Sequence, residues 1–238
     1  MTQQPNPGEA ELAFLGRLAN TTGRRQFLQW AGLGVGALAL GCSDNNGTGP
    51  SGGAASANLG SGDIGILNYA YALEQLEAAF YTQVATSFYA GITTDEQQIL
   101  TDIKNHEVIH RDYLKAALGS QAIADLSVDF SGINFGDRTS VLTAAKTFED
   151  LGVSAYNGAG HLITSVDYLL VAGKIVSVEA RHASAIRDLL APDTAAFAGD
   201  DVVAADTGLD TANPPATVLA AADAYVTTTI DASHLPTT

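Results

Sequence analysis

The sequence predicts an all-α protein, an antiparallel four-helix bundle with a long crossover between helices 2 and 3 and a short C-terminal helix. Apolar residues recur at helical spacing in four segments, which begin near Asp63, Thr93, Arg138 and Ser165. Residues 119–137, between the second and third segments, lack this spacing and are more than an antiparallel turn requires. The pattern Glu-x-x-His occurs once in the second segment and once in the fourth, so the chain reads as two similar hairpins.

The first predicted helix covers about residues 63–88, and Asp63 is expected to cap its start. Its apolar residues recur at helical spacing: Ile66, Leu73, Leu76, Phe80 and Val84. The second helix begins at a capping box, in which Thr93 is the cap and Glu96 lies one turn on. A glycine, Gly119, is expected to end this helix.

The third predicted helix covers about residues 138–157, and the run Gly158-Ala159-Gly160 is expected to break it. A fourth helix follows to about Leu190, so the bundle is predicted to span residues 63–192. Residues 193–238 are predicted to form a C-terminal loop and a short apolar helix at about 216–230.

Residues 1–41 resemble an export signal. The run Arg24-Arg25-Gln26-Phe27-Leu28 matches most of the twin-arginine pattern, and a glycine-rich apolar stretch too short for a comfortable membrane span follows it. Cys42 ends this stretch in a sequence that resembles a lipoprotein cleavage box, so we expect it to be lipidated. Cleavage after Ala39 by an ordinary signal peptidase is the alternative. Both readings predict export by the twin-arginine route to the periplasm or cell envelope.

Composition excludes several classes of partner. The formal net charge of −15 argues against nucleic acid and against electrostatic docking on anionic lipid. We therefore expect contact with a membrane only through a lipid anchor at Cys42. Residues 42–62, which are rich in Gly, Ser and Asn, are predicted to be a flexible tether. The 46% of hydrophobic residues is enough to form a folded core in the rest of the chain.

The two Glu-x-x-His patterns each place a carboxylate and an imidazole on one face of a helix. Each pattern has a further glutamate in the preceding helix of its hairpin. We therefore expect six side chains to bind two metal ions in the bundle core: Glu74, Glu107, His110, Glu149, Glu179 and His182. Their carboxylates would balance the charge of two divalent ions, and oxygen with imidazole ligands favours iron or manganese. A single pattern of this kind would more often be an exposed pair on a helix.

Within this set, Glu107 and Glu179 are expected to bridge the two ions, while each of the other ligands binds one ion. Glu77 is an alternative to Glu74, because it lies one turn further along the same face. Its counterpart in the second hairpin is Gly152, which has no side chain to offer as a ligand. The symmetry of the repeat therefore favours Glu74.

Each upstream glutamate is followed two helical turns later by a tyrosine, Tyr81 in the first hairpin and Tyr156 in the second. Both are candidate catalytic residues, expected near the metal ions as hydrogen-bonding groups or electron relays. His106 adjoins Glu107 but points to another side of the helix, so it is predicted to be a surface residue.

At these residues the chain resembles the ferritin-like superfamily of dimetal carboxylate proteins, and within it the exported branch that includes the plant desiccation-related proteins. The matching segments are LEQLEAAFY at Leu73–Tyr81, FEDLGVSAY at Phe148–Tyr156 and VEARH at Val178–His182. The resemblance covers about residues 60–192. It implies an antiparallel four-helix bundle with a long crossover, and ferroxidase, peroxidase, manganese-catalase or oxygenase chemistry.

Two functions are compatible with these features. One is redox chemistry on peroxide, oxygen or ferrous iron at a di-iron or di-manganese site. The alternative is a non-catalytic envelope lipoprotein that binds metal or protects surfaces during stress or desiccation. A closed storage cage is disfavoured, because a lipid anchor and a tether would hinder its assembly. Whether the protein is an enzyme stays open at this stage.

Overall fold

The computed structural model describes residues 56–237, in which four long helices form the bundle. The elements are β1 Ser56–Asn58, α1 Gly62–Thr86, α2 Thr94–Leu118, α3 Arg138–Ala159, α4 Val166–Leu190, α5 Pro215–Ala222 and β2 Thr229–Asp231. Helices α1 and α2 pack as one hairpin and α3 and α4 as the other. The predicted all-α bundle is therefore confirmed. Within residues 56–237, no helix combines the length and apolar character needed to cross a bilayer.

The predicted export signal, the lipidation site Cys42 and the alternative cleavage site Ala39 lie outside the described residues. Most of the predicted tether lies outside them as well.

The capping box predicted for α2 is present. The Thr93 hydroxyl accepts a hydrogen bond from the Glu96 amide at 3.1 Å, and Glu96 Oε2 accepts one from the Thr93 amide at 3.2 Å. At the other end Gly119 adopts a φ of 55°, and its amide donates to the Lys115 carbonyl. These bonds satisfy backbone groups that the ends of a helix leave unpaired.

Asp63 does not cap α1, contrary to the prediction. The cap position belongs to Ser61, and Asp63 lies in the first turn. Its carboxylate accepts hydrogen bonds from the amides of Thr164 and Ser165, both at 2.8 Å, just before α4 begins. Those amides are donors from a distant part of the chain, so local sequence could not indicate them. Asp63 thus joins the starts of α1 and α4.

The crossover of residues 119–137 is bound to α1 by two amide side chains. Asn68 Nδ2 donates to the Gln121 carbonyl at 2.9 Å, and Asn68 Oδ1 accepts from the Ile123 amide at 3.0 Å. Gln75 Oε1 accepts from the Leu126 amide at 2.8 Å. The crossover therefore follows α1 closely, as a connection between two hairpins of one bundle must.

An aromatic cluster joins the crossover and the C-terminal segment to the bundle. The ring of Phe80 in α1 packs edge to face against Phe148 in α3, with ring centroids 5.0 Å apart. Phe130 of the crossover lies 5.8 Å from Phe80, and Tyr225 lies 4.7 Å from Phe148. Edge-to-face pairs of this kind stabilise beyond the area they bury. The cluster covers the bundle beside Tyr81 and Glu149, the next residues along α1 and α3.

Helix α3 ends at Ala159, inside the run Gly158-Ala159-Gly160 that was predicted to break it. Gly158 itself is needed for close packing. A Cβ atom at Gly158 would lie 1.8 Å from the carbonyl oxygen of Asn213. The Asn213 amide donates to the Ser154 carbonyl at 3.0 Å, and Asn213 Nδ2 donates to the Ser154 hydroxyl at 3.1 Å. The C-terminal segment is thus fixed directly against the α3 backbone.

Two further boundaries differ from the prediction. The C-terminal helix α5 ends at Ala222, and β2 follows it. β2 pairs in parallel with β1, which lies in the predicted tether, and Leu59 beyond β1 is fully buried. Both strands are three residues long, and each finds its partner at the far end of the chain. Strands this short do not contain enough alternating residues for a sequence pattern to predict them.

Replacing Gly158 by alanine is expected to lower the free energy of unfolding by about 1–3 kcal/mol, because the new methyl group displaces the segment at Asn213. The matched control is Gly173→Ala in α4, where a Cβ would meet no atom within 4 Å. This control is expected to stabilise by about 0.5–1 kcal/mol through helix propensity. Urea unfolding measures both, and equal effects would contradict the packing role of Gly158.

Candidate metal centre

Each helix of the bundle contributes one glutamate to a common cluster in the core. The side chains are Glu74 from α1, Glu107 from α2, Glu149 from α3 and Glu179 from α4, and all four are fully buried. Four unpaired carboxylates cannot be buried together in their ionised form without a large free-energy cost. The arrangement therefore requires positive charge within the core.

Two histidines enter the same cluster. His110 Nδ1 lies 2.9 Å from Glu179 Oε1, 3.5 Å from Glu74 Oε2 and 3.6 Å from Glu107 Oε2. His182 Nδ1 lies 2.8 Å from Glu107 Oε1. Both imidazoles thus present Nδ1 to the carboxylates, and both leave Nε2 on the outer side.

The ligand atoms fall into two groups, within each of which all the atoms lie within 4.8 Å of one another. The first group is Glu74, Glu107, His110 and Glu179, and the second is Glu107, Glu149, Glu179 and His182. Glu107 and Glu179 belong to both groups. Buried carboxylate and histidine groups arranged in this way can hold metal ions.

The hydrogen bonding of these atoms tests whether metal ions fit. Eight inward-facing atoms form no hydrogen bond within residues 56–237: Glu74 Oε2, Glu107 Oε1 and Oε2, His110 Nδ1, Glu149 Oε2, Glu179 Oε1 and Oε2, and His182 Nδ1. A buried polar atom left unpaired costs about 1–3 kcal/mol, so native structures rarely leave one, let alone a converging set. Oxygen and imidazole nitrogen donors suit hard or borderline divalent cations. The donor set therefore fits two metal ions.

Electrostatics in the metal-free cluster already favour cations. Burial opposes protonation of His110, yet the neighbouring Glu107, Glu179 and Glu74 raise its pKa to about 12. Burial likewise opposes protonation of His182, whose pKa Glu107 and Glu149 raise to about 10. Without a metal ion, the neighbouring carboxylates therefore favour the protonated form of both imidazoles.

In the metal-free cluster, the pKa values of Glu107 and Glu179 are shifted in opposite directions. Burial disfavours the charge on Glu107, but the two imidazolium ions beside it lower its pKa to about 2. Burial and the negative charges of Glu107 and Glu74 raise the pKa of Glu179 well above its usual value. The cluster therefore retains protons that bound cations would replace.

The two predicted tyrosines bond to Glu74 and Glu149, the two glutamates that each belong to only one of the groups. Tyr81 Oη donates to Glu149 Oε1 at 2.5 Å, and Tyr156 Oη donates to Glu74 Oε1 at 2.5 Å. Each tyrosine therefore reaches the glutamate of the other hairpin, whereas the sequence aligns it with the glutamate of its own helix. Burial and the adjacent Glu149 raise the pKa of Tyr81, so its hydroxyl keeps the proton that it donates.

Glu77, the predicted alternative ligand, is also buried in this region. A Cβ atom at Gly152 would lie 2.9 Å from Glu77 Oε1 and 3.4 Å from Glu179 Oε2. Gly152 has no side chain, and Glu77, its counterpart in the first hairpin, extends into the space that this leaves. Glu77 lies outside the two groups of ligand atoms described above. Burial, followed by the charges of Glu179 and Glu107, raises its pKa well above the usual value.

His106 has a contact that sequence reasoning missed. It is exposed, as predicted, but its Nδ1 lies 2.9 Å from Nε2 of His182, and the two rings are parallel to within 9°. In the sequence, this contact is indicated only by the position of His106 next to Glu107, which directs its side chain towards a neighbouring helix. That this helix is α4 follows only from the packing.

Comparison with known proteins supports the assignment of the fold. No curated protein matches the chain. The family model of the ferritin-like domain matches residues 62–192, which contain all four bundle helices and all six predicted ligands. This match covers more than half of the chain, and the chain therefore belongs to the ferritin-like domain family.

Proposed function

We propose that this protein is an exported dimetal protein that carries out redox chemistry on peroxide, oxygen or ferrous iron at a di-iron or di-manganese site. One observation carries the proposal: two overlapping groups of ligand atoms, which form no hydrogen bond within the described residues, share two glutamates. A shared pair of carboxylates is what two adjacent ions require as bridges.

The ligand assignment follows from membership of these groups. The two shared glutamates, Glu107 and Glu179, would contact both ions. Glu74 with His110 would hold one ion, and Glu149 with His182 would hold the other. Bound redox-active ions would supply one or two electrons to an oxygen species.

The protein side chains fix the geometry of this reaction. Tyr81 donates a hydrogen bond to Oε1 of Glu149, and Tyr156 donates one to Oε1 of Glu74. The second oxygen of each carboxylate is therefore left directed at the cluster. Burial and the charges of Glu179 and Glu107 raise the pKa of Glu77, so this carboxyl group near Glu179 would be a proton donor to a substrate in the cluster. The carboxyl group of Glu77, rather than either tyrosine hydroxyl, is therefore the candidate proton donor.

The burial of the site favours small substrates. All four cluster glutamates are fully buried, and the aromatic cluster of Phe80 and Phe148 lies beside them. Peroxide, oxygen and ferrous ions would need less movement of the helices to enter such a core than a larger organic substrate would. Complete burial also favours the alternative, a non-catalytic metal-binding or protective envelope protein, whose site needs no access for a substrate.

The proposal that the protein is exported rests on the twin-arginine pattern and on the lipoprotein-like sequence at Cys42. It places the site in the periplasm or cell envelope on a lipid anchor. In the native host, Cys42→Ser is expected to abolish incorporation of labelled fatty acid and to release the protein from the membrane fraction. A variant that still partitions with membranes would contradict anchoring through Cys42.

Replacing both bridging glutamates by glutamine (Glu107→Gln with Glu179→Gln) is expected to abolish binding of both ions. Circular dichroism checks that the double variant keeps its helices, because Glu107 also faces the two imidazoles and its loss removes a buried partner of both. The matched control is Glu96→Gln, a buried glutamate of α2 that bonds to Arg138 away from the cluster, and it should retain full metal content. Elemental analysis of protein from the native host measures the bound metal.

Peroxide consumption and ferrous oxidation are measured on the same samples. Wild-type protein that holds two redox-active ions per chain but shows neither activity would support the non-catalytic alternative. If the double variant kept its metal, the ligand assignment would be wrong.

Replacing Tyr81 by phenylalanine removes the donor to Glu149 Oε1 and is expected to weaken metal binding by about 10–100-fold. The control is Tyr69→Phe, also buried in α1, whose hydroxyl has no hydrogen-bond partner within the described part of the chain. Competition with a chelator measures both affinities. Equal affinities in the two variants would contradict the role assigned to Tyr81.

A further inference from the structure

The two histidines of the metal centre differ in what their outer nitrogens contact. Nε2 of His182 lies 2.9 Å from Nδ1 of His106, and the ring centroids are 5.2 Å apart. Among residues 56–237, no side chain forms a hydrogen bond with Nε2 of His110. Among the described residues, therefore, a side chain contacts the outer nitrogen of His182 but not that of His110.

The direction of the hydrogen bond between the histidines follows from the ligand role of His182. Nδ1 of His182 faces Glu107 at 2.8 Å and Glu149 at 3.4 Å, so a metal ion there would take the lone pair of Nδ1. The single proton of a neutral imidazole then resides on Nε2. Nε2 donates it to Nδ1 of His106, whose own proton resides on its exposed Nε2. The contact thus selects the tautomer of His182 that can bind metal through Nδ1.

The repeat in the sequence explains why the first hairpin alone provides this contact. His106 directly precedes Glu107, whereas Val178 directly precedes Glu179 at the corresponding position of the second hairpin. A valine side chain has no atom that can accept a hydrogen bond from an imidazole. The asymmetry is therefore built into the sequences of the two Glu-x-x-His patterns.

We propose that His106 is a positioning residue for His182 and that it makes the two metal positions unequal. An acceptor behind a metal-bound imidazole orients the ring and raises the basicity of the coordinating nitrogen. The ion bound by His182 is accordingly held more tightly than the ion bound by His110. This inference rests on the proposed dimetal function and adds to it an order in which the two positions fill.

Titration of the metal-free full-length protein with Co²⁺, in competition with a chelator, tests the inequality. Wild type is expected to show two different dissociation constants. His106→Ala should weaken the tighter one by about 10–100-fold and leave the other unchanged. His106→Asn should restore most of the loss, because the amide oxygen can take the place of Nδ1. The matched control is Val178→Ala, which should behave as wild type.

Nitrogen-15 NMR of the Zn²⁺-loaded protein provides a second measurement that does not depend on activity. Wild type and His106→Asn are expected to show a protected proton on Nε2 of His182. His106→Ala is expected to lose that protection while the signals of His110 stay unchanged. A purely structural role of His106 in packing would not distinguish alanine from asparagine in this way.

The outcomes separate the two proposals. Wild-type protein that binds fewer than two Co²⁺ ions would contradict the dimetal site itself. If two ions bind, the positioning role is overturned by any of three results. In the first, His106→Ala has the same two dissociation constants for Co²⁺ as Val178→Ala. In the second, His106→Ala weakens the binding of both ions equally. In the third, His106→Asn fails to restore the affinity.

Discussion

The structure depends on the burial of four glutamate carboxylates in one core. Ionised carboxylates this close repel one another, and burial removes the water that would screen them. The inward atoms of these glutamates lack hydrogen bonds within the described residues and two imidazoles face them, so the cluster could hold cations. Each helix supplies one of the four glutamates, so correct packing of all four helices is needed to assemble the cluster. The same requirement ties metal binding to the integrity of the bundle.

Neither hairpin completes the centre alone, and the two are not equivalent. Tyr81 of the first hairpin bonds to Glu149 of the second, and Tyr156 of the second bonds to Glu74 of the first. This exchange keeps the symmetry of the repeat. Two positions break it: Glu77 extends into the space left by Gly152, and His106 contacts His182 where the second repeat has Val178. A site built by repetition thus acquires two chemically different halves.

The sequence predicted those features that leave a local pattern. Helical periodicity located the four helices, and the spacing of Thr93 and Glu96 identified the start of α2. The doubled Glu-x-x-His pattern brought out six side chains that do lie together, although their binding of metal stays a proposal. What the sequence did not predict depends on partners far along the chain. Asp63 bonds to the start of α4, Gly158 admits Asn213, and β1 pairs with β2. Local spacing carries no information about such contacts.

The pairing of β1 with β2 also dictates an order of events in folding. Ser56 pairs with Thr229 and Asn58 with Asp231, so the first described strand has its strand partner far along the chain. A ribosome releases the N-terminal side first, and β1 has no partner until the last helix and the segment after it have emerged. The four-helix core can therefore assemble before the chain is closed. Formation of the strand pair then follows the assembly of the four helices.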